Sequence, residues 1–154
     1  RTCNRGSDGD GASPSCSIVD EYHEHDTDDL VDTMETGMGA REQPLLFIIT
    51  TAGSNTSGIC YEVRTYCAKV LEKTVEDESQ FAIIYTIDDE DDWTTLAAII
   101  KANPNWGISV FPDAIAAEAH QALQIASKQP AFKTKHLDHQ AAALARRLAR
   151  STAA

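Results

Sequence analysis

The sequence predicts an α/β fold organised on a parallel sheet, and three observations carry that reading. Two short apolar runs, Ser17-Ile18-Val19 and Leu45-Leu46-Phe47-Ile48-Ile49, each end abruptly in polar residues, as strands buried on both faces do. Segments of helical periodicity, bounded by capping residues and glycines, lie between and after them, so strand and helix alternate. A third run, Phe81–Ile87, is rich in aromatic and β-branched residues and reads as a further strand. Polar residues at the carboxyl ends of parallel strands line the crevice where such folds bind ligands. Here those residues are Asp20-Glu21 and Thr50-Thr51-Ala52-Gly53.

Taken in order, residues 1–15 are rich in Gly, Ser, Asp and Asn and read as loop. The first strand covers 16–20. Asp26 or Thr27 can cap a short helix through about Glu35, with Leu30, Val31 and Met34 inward and Gly37 and Gly39 ending it. Pro44 starts the second strand. The cluster Ser54–Gly58 supplies a turn and a cap for the next helix, on which Ile59, Val63, Tyr66, Val70 and Leu71 recur at helical spacing. After the third strand, the acidic run Asp88–Asp92 can cap a short helix through Trp93–Ala102, and Asn103–Gly107 forms a turn. Pro112 suits the first position of a helix reaching about Ser127, and another helix begins near Pro130. Ala141–Ala154 is almost wholly Ala, Arg and Leu, a basic tail that is marginal as a helix.

The 154 residues suffice for one domain with a core. The sequence opens on Arg1 rather than Met, which suggests a piece of a longer protein, and holds no signal-type or membrane-spanning apolar run. Net charge is −11, unevenly spread: residues 1–100 carry 21 acids and 6 bases, residues 101–154 carry 3 acids and 7 bases. An acidic body argues against a broad DNA-binding face here, since phosphate contacts need clustered Lys and Arg. The four cysteines form no CxxC pair. Cys60 and Cys67 share one helix face and read as reduced core residues in a reducing compartment.

An apolar strand ending in Asp-Glu is the sequence form of a Walker B element. The Asp can hold hydrated Mg²⁺, and the Glu can orient the water that attacks a γ-phosphate. A hydroxyl pair on the neighbouring strand end can both donate and accept hydrogen bonds there.

The segment Ile18-Val19-Asp20-Glu21-Tyr22-His23-Glu24-His25, followed by Gly39-Ala40-Arg41-Glu42-Gln43-Pro44 and Leu45 through Asn55, resembles the large terminase subunit of tailed bacteriophages. The likeness continues through Cys60-Tyr61-Glu62, Asp88–Trp93, Lys101–Asn105 and Phe132–Leu137, and covers residues 9–138. The resemblance implies an incomplete P-loop-type ATPase core with a helical C-terminal segment, part of a motor that packages viral DNA and, through a nuclease domain, cuts concatemers. It implies Glu21 as the catalytic carboxylate and Asp20 as the acid that holds Mg²⁺ through water. Thr50, Thr51, Ala52 and Gly53 match the coupling motif that senses the γ-phosphate of ATP. Arg41, just before the coupling strand, is a candidate for a phosphate or subunit-interface contact.

The same resemblance divides the chain into a loop or foreign segment (1–15), the C-terminal part of an ATPase core (16–102), a helical linker toward a nuclease (103–140) and the basic tail (141–154). For the intact protein it implies ATP and Mg²⁺ as cofactors. Double-stranded DNA, a portal protein, the small terminase subunit and further copies of itself are the implied partners, in the cytoplasm of a bacterial host. Two parts of the pattern are missing: no GxxxxGK[ST] phosphate loop occurs, and no nuclease carboxylate cluster follows Leu137, where Asp138-His139-Gln140 replaces the usual Asn and Trp. The chain alone is therefore expected to be inactive.

Two other classes compete. One is a non-catalytic acidic interaction module or decayed prophage remnant. The other is a metal-dependent hydrolase built on His23, His25 and the Asp88–Asp92 run. Separately, His23 and His25 with Asp26, and His136 with His139 at helical spacing, are weaker metal-ligand candidates. Adjacent parallel strands bearing Asp20, Glu21 and Thr50–Gly53 on one rim would favour the motor.

Overall fold

A computed structural model describes residues 11–139. Strand β1 (Cys16–Asp20) and strand β2 (Leu45–Ile49) form a two-stranded parallel sheet in which Cys16 pairs with Leu45 and Asp20 with Ile49. The crossover between them is helix α1 (Asp29–Met38), as a parallel pair requires. Helix α2 (Ile59–Leu71) follows, then α3 (Leu96–Ala102), α4 (Pro112–Gln124) and α5 (Gln129–His136). Both expected proline starts are seen, with Pro112 and Pro130 in the first turns of α4 and α5. The expectations for residues 1–10 and 140–154, Cys3 and the basic tail among them, lie outside the described residues.

The pleat sorts the sheet into two faces. Val19, Leu46 and Ile48 point toward Tyr22, Val31, Cys60 and Ile59 and make one apolar cluster. Ile18, Leu45, Phe47 and Ile49 belong to the other face and stay exposed, Ile18 at 68% and Phe47 at 48%. The sheet is thus packed on one side only. A second cluster joins Ile87, Ala98, Ile99, Ala102, Ile115, Ala122, Phe132 and Leu137, with Trp93 and Trp106 at its margin. Leu137 is fully enclosed there, and the rings of Trp93 and Phe132 meet at 6.1 Å.

Several elements differ from expectation. Phe81–Thr86 keeps the in-and-out alternation of a strand, with Phe81, Ile83 and Tyr85 exposed and Ala82, Ile84 and Thr86 half-buried before the buried Ile87, yet it joins no sheet among the described residues. The alternation depends on side chains alone, whereas a ladder needs a strand alongside, and neither β1 nor β2 provides one. On α2 the buried stripe is Cys60 and Cys67, both free thiols, while Val63, Tyr66 and Leu71 are exposed. Cys60 and Cys67 are thus core as expected, and of the apolar series Ile59 packs against the sheet cluster while Val63, Tyr66 and Leu71 do not. Helix α1 is capped at Asp28, one or two residues later than expected, and ends about a turn later, burying Val31, Met34 and Met38 with Gly39 as an ordinary right-handed C-cap. Helix α3 begins only at Leu96, where the Thr95 hydroxyl accepts from Ala98 N at 3.3 Å. Asp88–Asp92 forms turns before that point rather than a helix start.

Candidate functional site

Because β1 and β2 are parallel and in register, their carboxyl ends reach the same rim together. Asp20 closes β1 beside Ile49, so Glu21 and Thr50 leave the sheet as neighbours. The Asp20 carboxylate accepts from Glu21 N at 3.0 Å through Oδ1, and its side chain faces solvent. Among the described residues its Oδ2 has no protein partner. An exposed hard oxygen at a strand end is a donor that suits hydrated Mg²⁺. Glu21 adopts the left-handed conformation (φ 52, ψ 48), which a β-carbon disfavours by about 1–2 kcal/mol. That twist turns the chain from β1 into the short 3₁₀ turn Tyr22–Glu24, whose Tyr22 is almost wholly enclosed. Burial, with Asp28 and other acids nearby, pushes the Tyr22 phenol up to about 12.

The second arm of the rim is tied to the first through His23. Its backbone N–H donates to Thr50 Oγ1 at 3.0 Å, and its Nδ1 lies 3.1 Å from that oxygen and 3.4 Å from Thr51 Oγ1. The same Nδ1 is 3.2 Å from Glu21 Oε2, and Nε2 is 3.1 Å from Glu24 Oε1. Thr50 Oγ1 donates in turn to Thr51 O at 3.0 Å. Gly53 has φ +62, and a β-carbon there would stand 2.7 Å from His23 Cβ. Only glycine lets the loop pass so close to the imidazole. Behind the loop, Ala52 N donates to the Asp138 carboxylate. Burial pushes the Asp138 carboxyl up, offset in part by that hydrogen bond and by the charges of Arg64 and His23.

Residues 3–69 match the family model described as "Terminase large subunit, ATPase domain". Over those residues the chain is similar to the ATPase domain of large terminase subunits. It is 50% identical over 130 residues to Protein YmfN of Escherichia coli (strain K12), covering 84% of this chain and 29% of that protein. The solved large terminase of bacteriophage HK97 shares its fold at a TM-score of 0.74 with 24% sequence identity, over 88% of this chain and 28% of that one. The chain thus spans under a third of the length of these relatives.

Within the matched residues, six of the seven expected site residues share one rim: Asp20, Glu21, Thr50, Thr51, Ala52 and Gly53. Arg41 does not join them. It precedes β2, and its guanidinium donates from Nε to Ser13 O at 3.0 Å and from Nη2 to the same oxygen. That places it at the amino end of the sheet, opposite the carboxylates. His25 also leaves the rim, with its ring against Tyr22 at 5.6 Å.

No group of three or more His, Cys, Asp or Glu among the described residues could hold a metal ion, so the stand-alone metal-hydrolase reading finds no site there. Asp88 and Asp91 instead share Lys101 Nζ at 2.6 and 2.5 Å, which holds the Asp91 carboxyl below its ordinary range. His136 is engaged by Glu118 at 2.8 Å, and its carbonyl accepts from Asn103 Nδ2.

Two residues of the rim escaped the sequence reading, His23 as a partner of the hydroxyl pair and Asp138 as a partner of the coupling loop. For His23 the available signal was its position two residues past the Asp-Glu strand end, beside a parallel neighbour that ends in two threonines. For Asp138 there was none, since its partner is 86 positions away.

Proposed function

We propose that this chain is the water-activating and coupling half of an ATP-driven motor that packages viral DNA. The observation that supports it is the parallel pairing of Asp20 with Ile49, which brings Glu21 and the Thr50–Gly53 loop to one rim. In this reading the Glu21 carboxylate, exposed beside the end of β1, orients the attacking water and draws off its proton. Asp20 holds Mg²⁺ through water, and the ion supplies neutralisation of phosphate charge. Thr50 and Thr51 present hydroxyls where a γ-phosphate would lie, and Ala52-Gly53 carries the change to the rest of the chain. Residues 16–102 form the C-terminal part of the ATPase core, and 103–140 lead toward a nuclease domain that cuts concatemers.

Double-stranded DNA, a portal protein and the small terminase subunit are the partners this role requires, with further copies of the large subunit forming the motor in the host cytoplasm. Arg41 is left as a contact to phosphate or to a neighbouring subunit, because its amino-end position faces away from its own site. No helix among the described residues is long and apolar enough to cross a membrane.

The test is ATP turnover by the purified 154-residue chain and by the same chain joined to a phosphate-loop segment from a terminase. The first is expected to show none, for want of a loop to cradle the β- and γ-phosphates. The second is expected to turn over and to lose activity with Glu21→Gln. Turnover by the short chain that Glu21→Gln abolishes would overturn the half-site reading.

A further inference from the structure

We infer that His23 is a positioning residue that links the Glu21 carboxylate to the Thr50–Thr51 hydroxyls, so that the two arms of the rim change together. The inference rests on the motor reading for its purpose but on geometry for its existence. The His23 side chain is only 17% exposed and sits between the arms, 3.2 Å from Glu21 Oε2 and 3.1 Å from Thr50 Oγ1.

Donor arithmetic defines the link. The single proton of the Thr50 hydroxyl goes to Thr51 O at 3.0 Å, so toward His23 this oxygen can only accept. It accepts from His23 N, and the donors that remain to face it are Nδ1–H at 3.1 Å and, more weakly, the Cys60 thiol at 3.8 Å. That one N–H also faces the Glu21 carboxylate at nearly the same distance, and a single proton cannot serve both with good geometry. Each arm therefore competes for it. When Glu21 turns to hold a water, Nδ1–H passes to Thr50, and the hydroxyl pair registers the change.

The imidazole is held in place for this. Glu24 Oε1 takes up the Nε2 side at 3.1 Å, the backbone N–H anchors the residue to Thr50, and Gly53 packs on its β-carbon. Rotating the ring away would give up the Nε2 contact to Glu24 and the Nδ1 contacts to Glu21 and Thr50, while the backbone anchor holds the residue in place. The remaining carboxylate of the rim, Asp20, is turned to Glu21 N rather than to the ring.

The experiment uses the purified chain with labelled threonine methyl groups and no nucleotide. Glu21→Gln is expected to move the Thr50 and Thr51 resonances in the protein that retains His23. That response should vanish in His23→Gln, whose amide reaches only the Nε2 position. It should persist in His23→Asn, whose amide nitrogen stands where Nδ1 stood. An equal response in both backgrounds, or none in the parent chain, overturns the inference, as does loss of the response in His23→Asn with the α1 methionine signals unchanged. Because no ATP is involved, failure here leaves the turnover test above to judge the motor reading separately.

Discussion

The Asp138 carboxylate accepts the backbone N–H of Ala52, joining the end of the last helix to the middle of the Thr50–Gly53 loop. The acceptor is partly buried, and its carboxyl is raised by that burial. A carboxyl raised on folding contributes stability that is fully present below its unfolded value and is lost as pH rises through the folded one. Asp138→Asn keeps an acceptor for Ala52 and removes the charge. The variant is expected to melt higher than the parent at pH 7, with the gap closing as pH falls toward 4. Comparison of the two removes the opposite contributions of Asp77, Asp91 and Asp92, whose carboxyls are lowered. A gap that widened on acidification would refute the assignment.

Glu21 should be a site where function and stability oppose each other. Its left-handed backbone is disfavoured by a β-carbon, so Glu21→Gly is expected to raise the unfolding free energy by about 0.5–1 kcal/mol. Urea titration reads this directly. A lower midpoint for the glycine variant would mean the side chain contributes more than its exposed contact with His23 suggests.

Gly53→Ala is expected to cost about 1–3 kcal/mol, through the positive φ and the approach to His23 Cβ. Replacing His23 by Ala should not restore the loss, since alanine retains the atom that collides. Replacing His23 by Gly should restore part of it. Thermal melts of the two double variants separate the steric share from the dihedral share; equal rescue by Ala and Gly would rule out the collision.

The bare sheet face predicts self-association. Ile18, Leu45, Phe47 and Ile49 form an exposed apolar patch beside the unpaired outer edges of a two-stranded sheet. Phe47→Lys is expected to shift sedimentation of the concentrated chain toward monomer with little change in melting temperature. Unchanged association would place the contact elsewhere.

The rim was legible because strand ends are local: apolar residues stop, acids or hydroxyls begin, and a parallel pair aligns them. Residues that act through distant neighbours were not. Nothing near Asp138 announces Ala52, and His23 reads as a loop histidine until β2 is laid beside β1. Phe81–Ile87 shows the reverse case, in which side-chain alternation was visible while its ladder partner was not among the described residues. On α2 the Cys60–Cys67 face was legible as core, whereas Val63, Tyr66 and Leu71 follow the helical period yet stay exposed.

The first apolar cluster is tied to the second by a polar contact, Ala52 N–H to the Asp138 carboxylate, while the Thr86 hydroxyl secures Asp138 on the second cluster's side, 3.3 and 3.1 Å from the carbonyls of Leu137 and Asp138. Interlocked side chains resist sliding, whereas hydrogen bonds across a seam can be exchanged singly for water. The contact between Ala52 and Asp138 can therefore open singly. In amide exchange the Ala52 proton should open at a lower free energy than the core amides of α4, uncoupled from global unfolding.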